Sequence, residues 1–209
     1  MRIQVLVDNP KSWIVSYAAE MVLELEKLGH RTSLVHDHQN VERGEILCLL
    51  SCEKIFKNLS LNKHNLVVHE SYLPKGKGWS PVTWQIIEGL NEIPITLFEA
   101  SDRLDEGPIY KQLIMRLEGH ELLPEIKYLQ GRMTQQIILD FVKSYPNNSF
   151  ERQIGDPTFY SKRGPKDSEL DINKTILEQF NLLRVCDNER YPAFFVVKGK
   201  KYIIKLEKG

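Results

Sequence analysis

The 209 residues carry 28 Lys plus Arg against 28 Asp plus Glu, a formal net charge of zero. That balance gives no reason to expect a nucleic-acid polyanion as partner, and the length fits one domain with at most a small appendage. Three cysteines, Cys48, Cys52 and Cys186, include no CxxC pair, so neither a zinc site nor a disulfide framework is indicated. No apolar stretch reaches membrane-spanning length, and the apolar run at Met1 to Val7 is too short for a signal peptide; a cytoplasmic protein with no membrane partner is expected.

Ile3 to Val7 reads as a first strand, and the turn Asp8-Asn9-Pro10-Lys11-Ser12 offers Ser12 as a helix cap. Ile14, Tyr17, Ala18, Met21, Val22, Leu25 and Leu28 then recur at three- and four-residue steps until Gly29 supplies a stop. With Thr32 to Val35 as a second strand, the N-terminus has the length of one right-handed βαβ unit. GxGxxG is missing after the first strand, so a dinucleotide site is not expected there.

Ile46 to Leu50 reads as a central strand buried on both faces, Glu53 to Phe56 as a helical turn, and Asn65 to Val68 as another strand. His69 stands where that strand gives way to a Gly-, Pro- and Lys-rich loop, Ser71 to Gly78. Ligands of open α/β sheets gather at such strand ends. Pro81 to Leu90 has helical spacing, Ile93 to Phe98 is a strand, Asp102 to Pro108 a turn, and Ile109 to Leu117 an extended segment. A long helix is predicted from Leu122 to Ser144, stopped by Pro146.

Beyond it the chain changes character. Asp156 to Asp167 is polar, basic and turn-rich; a helix capped by Asp171 is predicted over Ile172 to Leu183, and a hairpin over Phe194 to Leu206. The expected fold is therefore α/β: a Rossmann-like, mostly parallel sheet with helices on both faces, plus a C-terminal helix and hairpin. The expected division is 1–150 and 151–209.

The pattern His69-x-Ser71-x-Leu73-Pro74, followed by Gly78 and Pro81 and then Asp105-x-Gly107-Pro108-Ile109, resembles the formyltransferases that use N10-formyltetrahydrofolate. Two motifs stand in order at the family's spacing. Tyr160-Ser-Lys162-Arg163-Gly-Pro165-Lys-Asp167, with Asn181 to Arg184 ahead of Tyr191-Pro-Ala193-Phe194, is similar to the segment after the catalytic domain in the sugar N-formyltransferases. Methionyl-tRNA formyltransferases share the early part but typically add a basic C-terminal barrel, which a neutral chain of this length does not accommodate.

The resemblance implies transfer of a formyl group from N10-formyltetrahydrofolate to a nucleotide-linked amino sugar, a UDP-linked 4-amino-4,6-dideoxy hexose of the pseudaminic-acid type. His69 would be base or oxyanion donor and Asp105 its partner, because an attacking amine loses a proton while a tetrahedral oxyanion forms. Ser51, Cys52, Ile55, Leu73, Pro74, Asp102 and Leu104 would line the folate pocket. Lys75, Lys77, Lys162 and Arg163 would meet the diphosphate, and Trp79 and Tyr160 would stack on the base or pack the loop. A homodimer is the expected assembly only because it is the commonest.

One position departs from the family. Its Asn two residues before the His is here Val67, which shares the face of His69 but has no amide; Asn65 lies one step further back, and Asn9 is a loop donor. This departure favours one alternative, a non-catalytic folate- or nucleotide-binding relative; the other alternative is a formyltetrahydrofolate hydrolase, in which water replaces the amine, and the tail's similarity to the sugar enzymes argues against it.

Overall fold

The computed structural model describes residues 1–209. The chain runs β1 (Arg2–Leu6), α1 (Val15–Lys27), β2 (Arg31–Val35), β3 (Gly44–Leu49), β4 (Asn62–His69), β5 (Lys77–Gly78), α2 (Pro81–Ile87), β6 (Glu92–Glu99) and β7 (Ile109–Arg116). There follow α3 (Leu123–Ser144), β8 (Phe159–Tyr160), α4 (Phe180–Arg184), β9 (Ala193–Val197) and β10 (Lys200–Ile204). Six strands form one sheet in the order β2-β1-β3-β4-β6-β7. The first four are parallel; β6 runs antiparallel to β4, and β7 antiparallel to β6.

Alternation along the strands decides what each face buries. Ile3 and Val5, Ile46 and Cys48, Leu66, and Ile93, Ile95 and Leu97 all face the larger core, where Ala18, Met21 and Leu25 of α1 meet Ile137, Ile138 and Phe141 of α3. The two helices approach closely because Gly131 of α3 has no side chain; a Cβ there would stand 2.6 Å from the Tyr17 ring. On the opposite face Leu6, Leu47 and Leu49 pack against Val41 and Phe56. Cover on that side comes from residues 36–61, whose helical content is two 3-10 turns, His38–Asn40 and Leu59–Leu61.

Three local expectations are corrected. Ser12 does not cap α1: the helix starts at Val15 without a side-chain cap, and the Ser12 carbonyl accepts from the Val15 N–H at 3.2 Å. Residues 53–56 form no helical turn, because the N–H groups of Glu53 and Lys54 donate to the Asp8 carboxylate instead. The helix expected over 172–183 is reduced to a 3-10 turn, Leu177–Gln179, and α4. Asp171 accepts from the Asn173 N–H at 2.9 Å, and the Gln179 amide donates to the Asp171 and Lys174 carbonyls, so local side-chain bonds compete with the helix.

The hairpin turns at Lys198 (φ +48°) and Gly199 (φ +73°), a two-residue loop whose twist matches its strands. Val185 belongs to the larger core, and Arg184 is fully buried. Its guanidinium donates to Asn91 at 2.7 Å and to Asn181 at 2.9 Å, and stands 3.5 Å from Glu121. These bonds tie the segment after residue 150 to the approaches of β6 and α3. No helix is long and apolar enough to cross a membrane.

Candidate active site

His69 is the last residue of β4. Leu66 faces the larger core and Val67 the smaller, so Val67 and His69 share the face turned away from α1 and α3. Thr96 of β6 lies opposite His69 and donates to the Ser71 carbonyl at 2.6 Å, which fixes the strand's exit. The chain then buries Leu73 and Pro74 and returns as β5 between two left-handed glycines, Gly76 (φ +72°) and Gly78 (φ +98°). Gly78 also needs its lack of a side chain for contact, since a Cβ would lie 2.5 Å from the Tyr160 carbonyl.

That return orients the imidazole. His69 Nε2 lies 2.8 Å from the Gly76 carbonyl oxygen. A carbonyl only accepts, so Nε2 carries the hydrogen and, in the neutral ring, Nδ1 keeps its lone pair. Asp105 Oδ2 stands 3.9 Å from Nδ1, each side chain about 8% exposed, and accepts from the Gly78 N–H at 3.0 Å. The two groups are thus close enough for charge to act and too far apart for a direct hydrogen bond.

Asp105 is presented from a tight loop at φ +52°. Gly107 lies so close to the Glu99 carbonyl that a Cβ would be 1.6 Å from its oxygen. From beyond α3, Gln153 donates to both the Asp105 and the Gly107 carbonyls at 2.9 Å, and β8 pairs with β5. Of this 151–160 strap only Tyr160 was legible as part of the site.

The residues expected to line a folate pocket stand on neighbouring loops. Ser51 is exposed at φ +48°, and Ile55 is exposed. Cys52 donates to the Leu6 carbonyl at 3.5 Å, and burial pushes its thiol pKa up to about 12. Asp102 and Leu104 are exposed, and Ala100 at the base of their loop packs on the same small cluster as Cys52. Burial acts to raise the Asp8 pKa, but the Glu53 and Lys54 N–H groups and His38 outweigh it, so this carboxylate stays charged and pins the 51–55 loop.

The expected substrate cations divide. Lys75 is exposed, and Lys162 lies 4.8 Å from the centroid of the half-exposed Trp79 ring. Lys77 is buried, 3.3 Å from Glu106, and so is already paired. Arg163 donates to the Val185 and Asp167 carbonyls and to Ser168, an internal tie instead of a free cation. Tyr160 donates its hydroxyl to Glu88 at 2.7 Å; burial and that carboxylate raise its pKa.

Neither of the two candidate amides compensates for Val67. Asn65 donates to the Leu59 carbonyl at 2.9 Å and Asn9 to Glu53 at 2.8 Å. A residue missed from sequence is Glu70, next to His69. It accepts from Gln130 at 2.7 Å, and burial raises its pKa, with His69 opposing the shift and Asp105 adding to it. Its only signal was a charge set between two residues of a buried motif.

Comparison with known proteins shows what the chain is similar to. The chain is 28% identical over 156 residues to the bifunctional polymyxin resistance protein ArnA of Wigglesworthia glossinidia brevipalpis, covering 73% of this chain and 23% of that protein. It is 29% identical over 140 residues to methionyl-tRNA formyltransferase of Thermosipho africanus, covering 66% and 44%. The chain therefore matches less than half the length of these relatives. Its fold is shared with methionyl-tRNA formyltransferase from Clostridium thermocellum (TM-score 0.83, 19% identity, 99% of this chain and 92% of that one). A sugar N-formyltransferase from a Shewanella species has a TM-score of 0.67 at 16% identity, covering 100% and 98%. HypX from Aquifex aeolicus in complex with tetrahydrofolic acid has a TM-score of 0.76 at 15% identity, covering 99% and 37%. The family model described as formyl transferase matches residues 15–126, more than half of the 209, and its span holds both His69 and Asp105: the chain belongs to the formyl transferase family.

Proposed function

We propose that this chain moves a formyl group from N10-formyltetrahydrofolate to the amino group of a nucleotide-linked sugar, with a UDP-linked 4-amino-4,6-dideoxy hexose as the acceptor class. The observation that carries the reading is the buried pair at the end of a parallel strand, His69 Nδ1 facing Asp105 Oδ2 across 3.9 Å. The donor's flat heterocycle suits the residues present. Ile55 and Leu104 expose apolar side chains on loops whose bases pack together, and the buried Ser71 hydroxyl has no partner. When bound, the donor supplies a formyl group activated on nitrogen.

The chain's own residues then manage one proton. With Nε2–H held by Gly76, Nδ1 takes the proton released as the acceptor nitrogen bonds to the formyl carbon, and returns it to the nitrogen that leaves. Asp105 stabilises the imidazolium in between. Lys75 and the Lys162–Trp79 pair offer free charge and an aromatic face to a nucleoside diphosphate. The solved sugar N-formyltransferase of the same fold supports a sugar acceptor.

Val67 favours a second reading, a relative that binds folate or nucleotide without turnover. One experiment separates the possibilities: incubation with N10-formyltetrahydrofolate and a panel of UDP- and dTDP-amino sugars, methionyl-tRNA and water alone, read by mass spectrometry. Gain of one formyl group on a UDP-amino sugar is expected. Formylation of methionyl-tRNA alone, hydrolysis alone, or tight nucleotide binding without product would each overturn the sugar-transferase proposal.

A further inference from the structure

One peptide in the lead-in to β5 holds the His69 ring, and that peptide and the one before it are both held in turn by Thr158. The Gly76 carbonyl accepts from His69 Nε2 at 2.8 Å, while the N–H at the other end of the same peptide, that of Lys77, donates to the Thr158 carbonyl at 2.9 Å. The preceding peptide gives its N–H, that of Gly76, to the Thr158 hydroxyl at 2.8 Å. Gly76 has to be glycine: its φ is +72°, and a Cβ would lie 2.8 Å from the Ser71 Cβ. A glycine does little to fix the planes on either side of it, so their orientation has to come from outside. Thr158, 82 residues away in sequence, supplies it.

The orientation matters because His69 has two possible acceptors for its one ring proton. The Gly76 carbonyl draws the proton to Nε2, whereas the Asp105 carboxylate, 3.9 Å from Nδ1, would draw it to Nδ1. A ring protonated on Nδ1 has no lone pair to take a proton on the Asp105 side. We propose that Thr158 is a positioning residue: through Gly76 its hydroxyl keeps His69 in the Nε2–H form with Nδ1 free toward Asp105. Two residues on, Tyr160 pairs with Gly78, whose N–H holds Asp105 Oδ2. One short segment from beyond α3 thus sets both halves of the pair.

The catalytic consequence rests on the formyl-transfer reading; the tautomer does not. The test is nitrogen NMR of protein labelled with 15N-histidine, with the His69 signals identified by their loss in His69→Gln, alongside steady-state kinetics. Thr158 is exposed, so Thr158→Val changes little packing, and Thr158→Ala removes the same hydroxyl by another route. Both are expected to show Nδ1–H tautomer at His69 and a fall in kcat of about tenfold with donor KM unchanged, and Thr158→Ser to restore both. Retention of the Nε2–H form with kcat within about twofold of the native protein, or a Thr158→Ser variant that behaves like Thr158→Val, would overturn the proposal. A tautomer shift in a protein that formylates no acceptor would uphold the positioning role and remove the transferase reading.

Discussion

Replacing Asp105 by Asn removes one charge and little else. The Asn side-chain oxygen can still accept from the Gly78 N–H, now 3.0 Å from Oδ2, so the loop keeps its anchor. What disappears is the attraction between the carboxylate and an imidazolium formed 3.9 Å away. At an effective dielectric constant near 20 that attraction is about 4 kcal/mol, and each 1.36 kcal/mol is a factor of about ten in rate. Full loss would slow formyl transfer by about a thousandfold, and partial solvent compensation would leave about a hundredfold. Single-turnover transfer from N10-formyltetrahydrofolate is the assay, with donor binding measured separately by calorimetry to show that the pocket survives. Donor affinity is expected to change little. A folded Asp105→Asn protein with a turnover rate within about fivefold of the native one would refute the role of charge at this distance.

Other positions test the scaffold. Gly107→Ala places a Cβ 1.6 Å from the Glu99 carbonyl oxygen, so backbone has to move; a loss of about 3 kcal/mol or more is expected in urea unfolding, with activity lost as well. Arg184→Met leaves Glu121 facing a buried apolar group and removes the bond to Asn91; a loss of about 3 kcal/mol is expected from denaturant midpoints. Glu70→Gln keeps an acceptor for Gln130 and deletes a carboxyl whose folded pKa is raised. Such a group binds its proton more tightly when folded, so native stability falls as pH rises from the ordinary glutamate range through the raised value. The variant is therefore expected to melt higher than the native protein at pH 8 and to show no advantage at pH 4.

Periodicity carried most of the frame. The apolar steps from Ile14 to Leu28, closed by Gly29, give α1, and those across α3 give the long helix that packs on it, because both helices bury one stripe on a sheet. The apolar run in β6 marks a strand but contains nothing that states its direction, and antiparallel pairing with β4 emerges only from the path through β5 and α2. Ile172, Ile176 and Leu177 have helical spacing yet lie exposed, since the bonds of Asp171 and Gln179 settle that segment first. At the site, His69 and Asp105 were legible as paired motifs. The parts that aim them were not: β5 and β8 are two residues each and pair across 82 positions, and Lys77, a residue type that usually faces water, is buried against Glu106. Such features are consequences of tertiary contact and leave no local pattern.

Formyl transfer through His69 is tested most directly with a donor carrying 13C in its formyl group. The native protein, supplied with a UDP-linked 4-amino sugar, is expected to convert the donor's carbon resonance into that of a sugar formamide. His69→Ala should leave the donor resonance unchanged while still binding nucleotide. Label that reaches the sugar at the same rate in His69→Ala, or label that reaches no amine in the native protein, would contradict transfer by this residue.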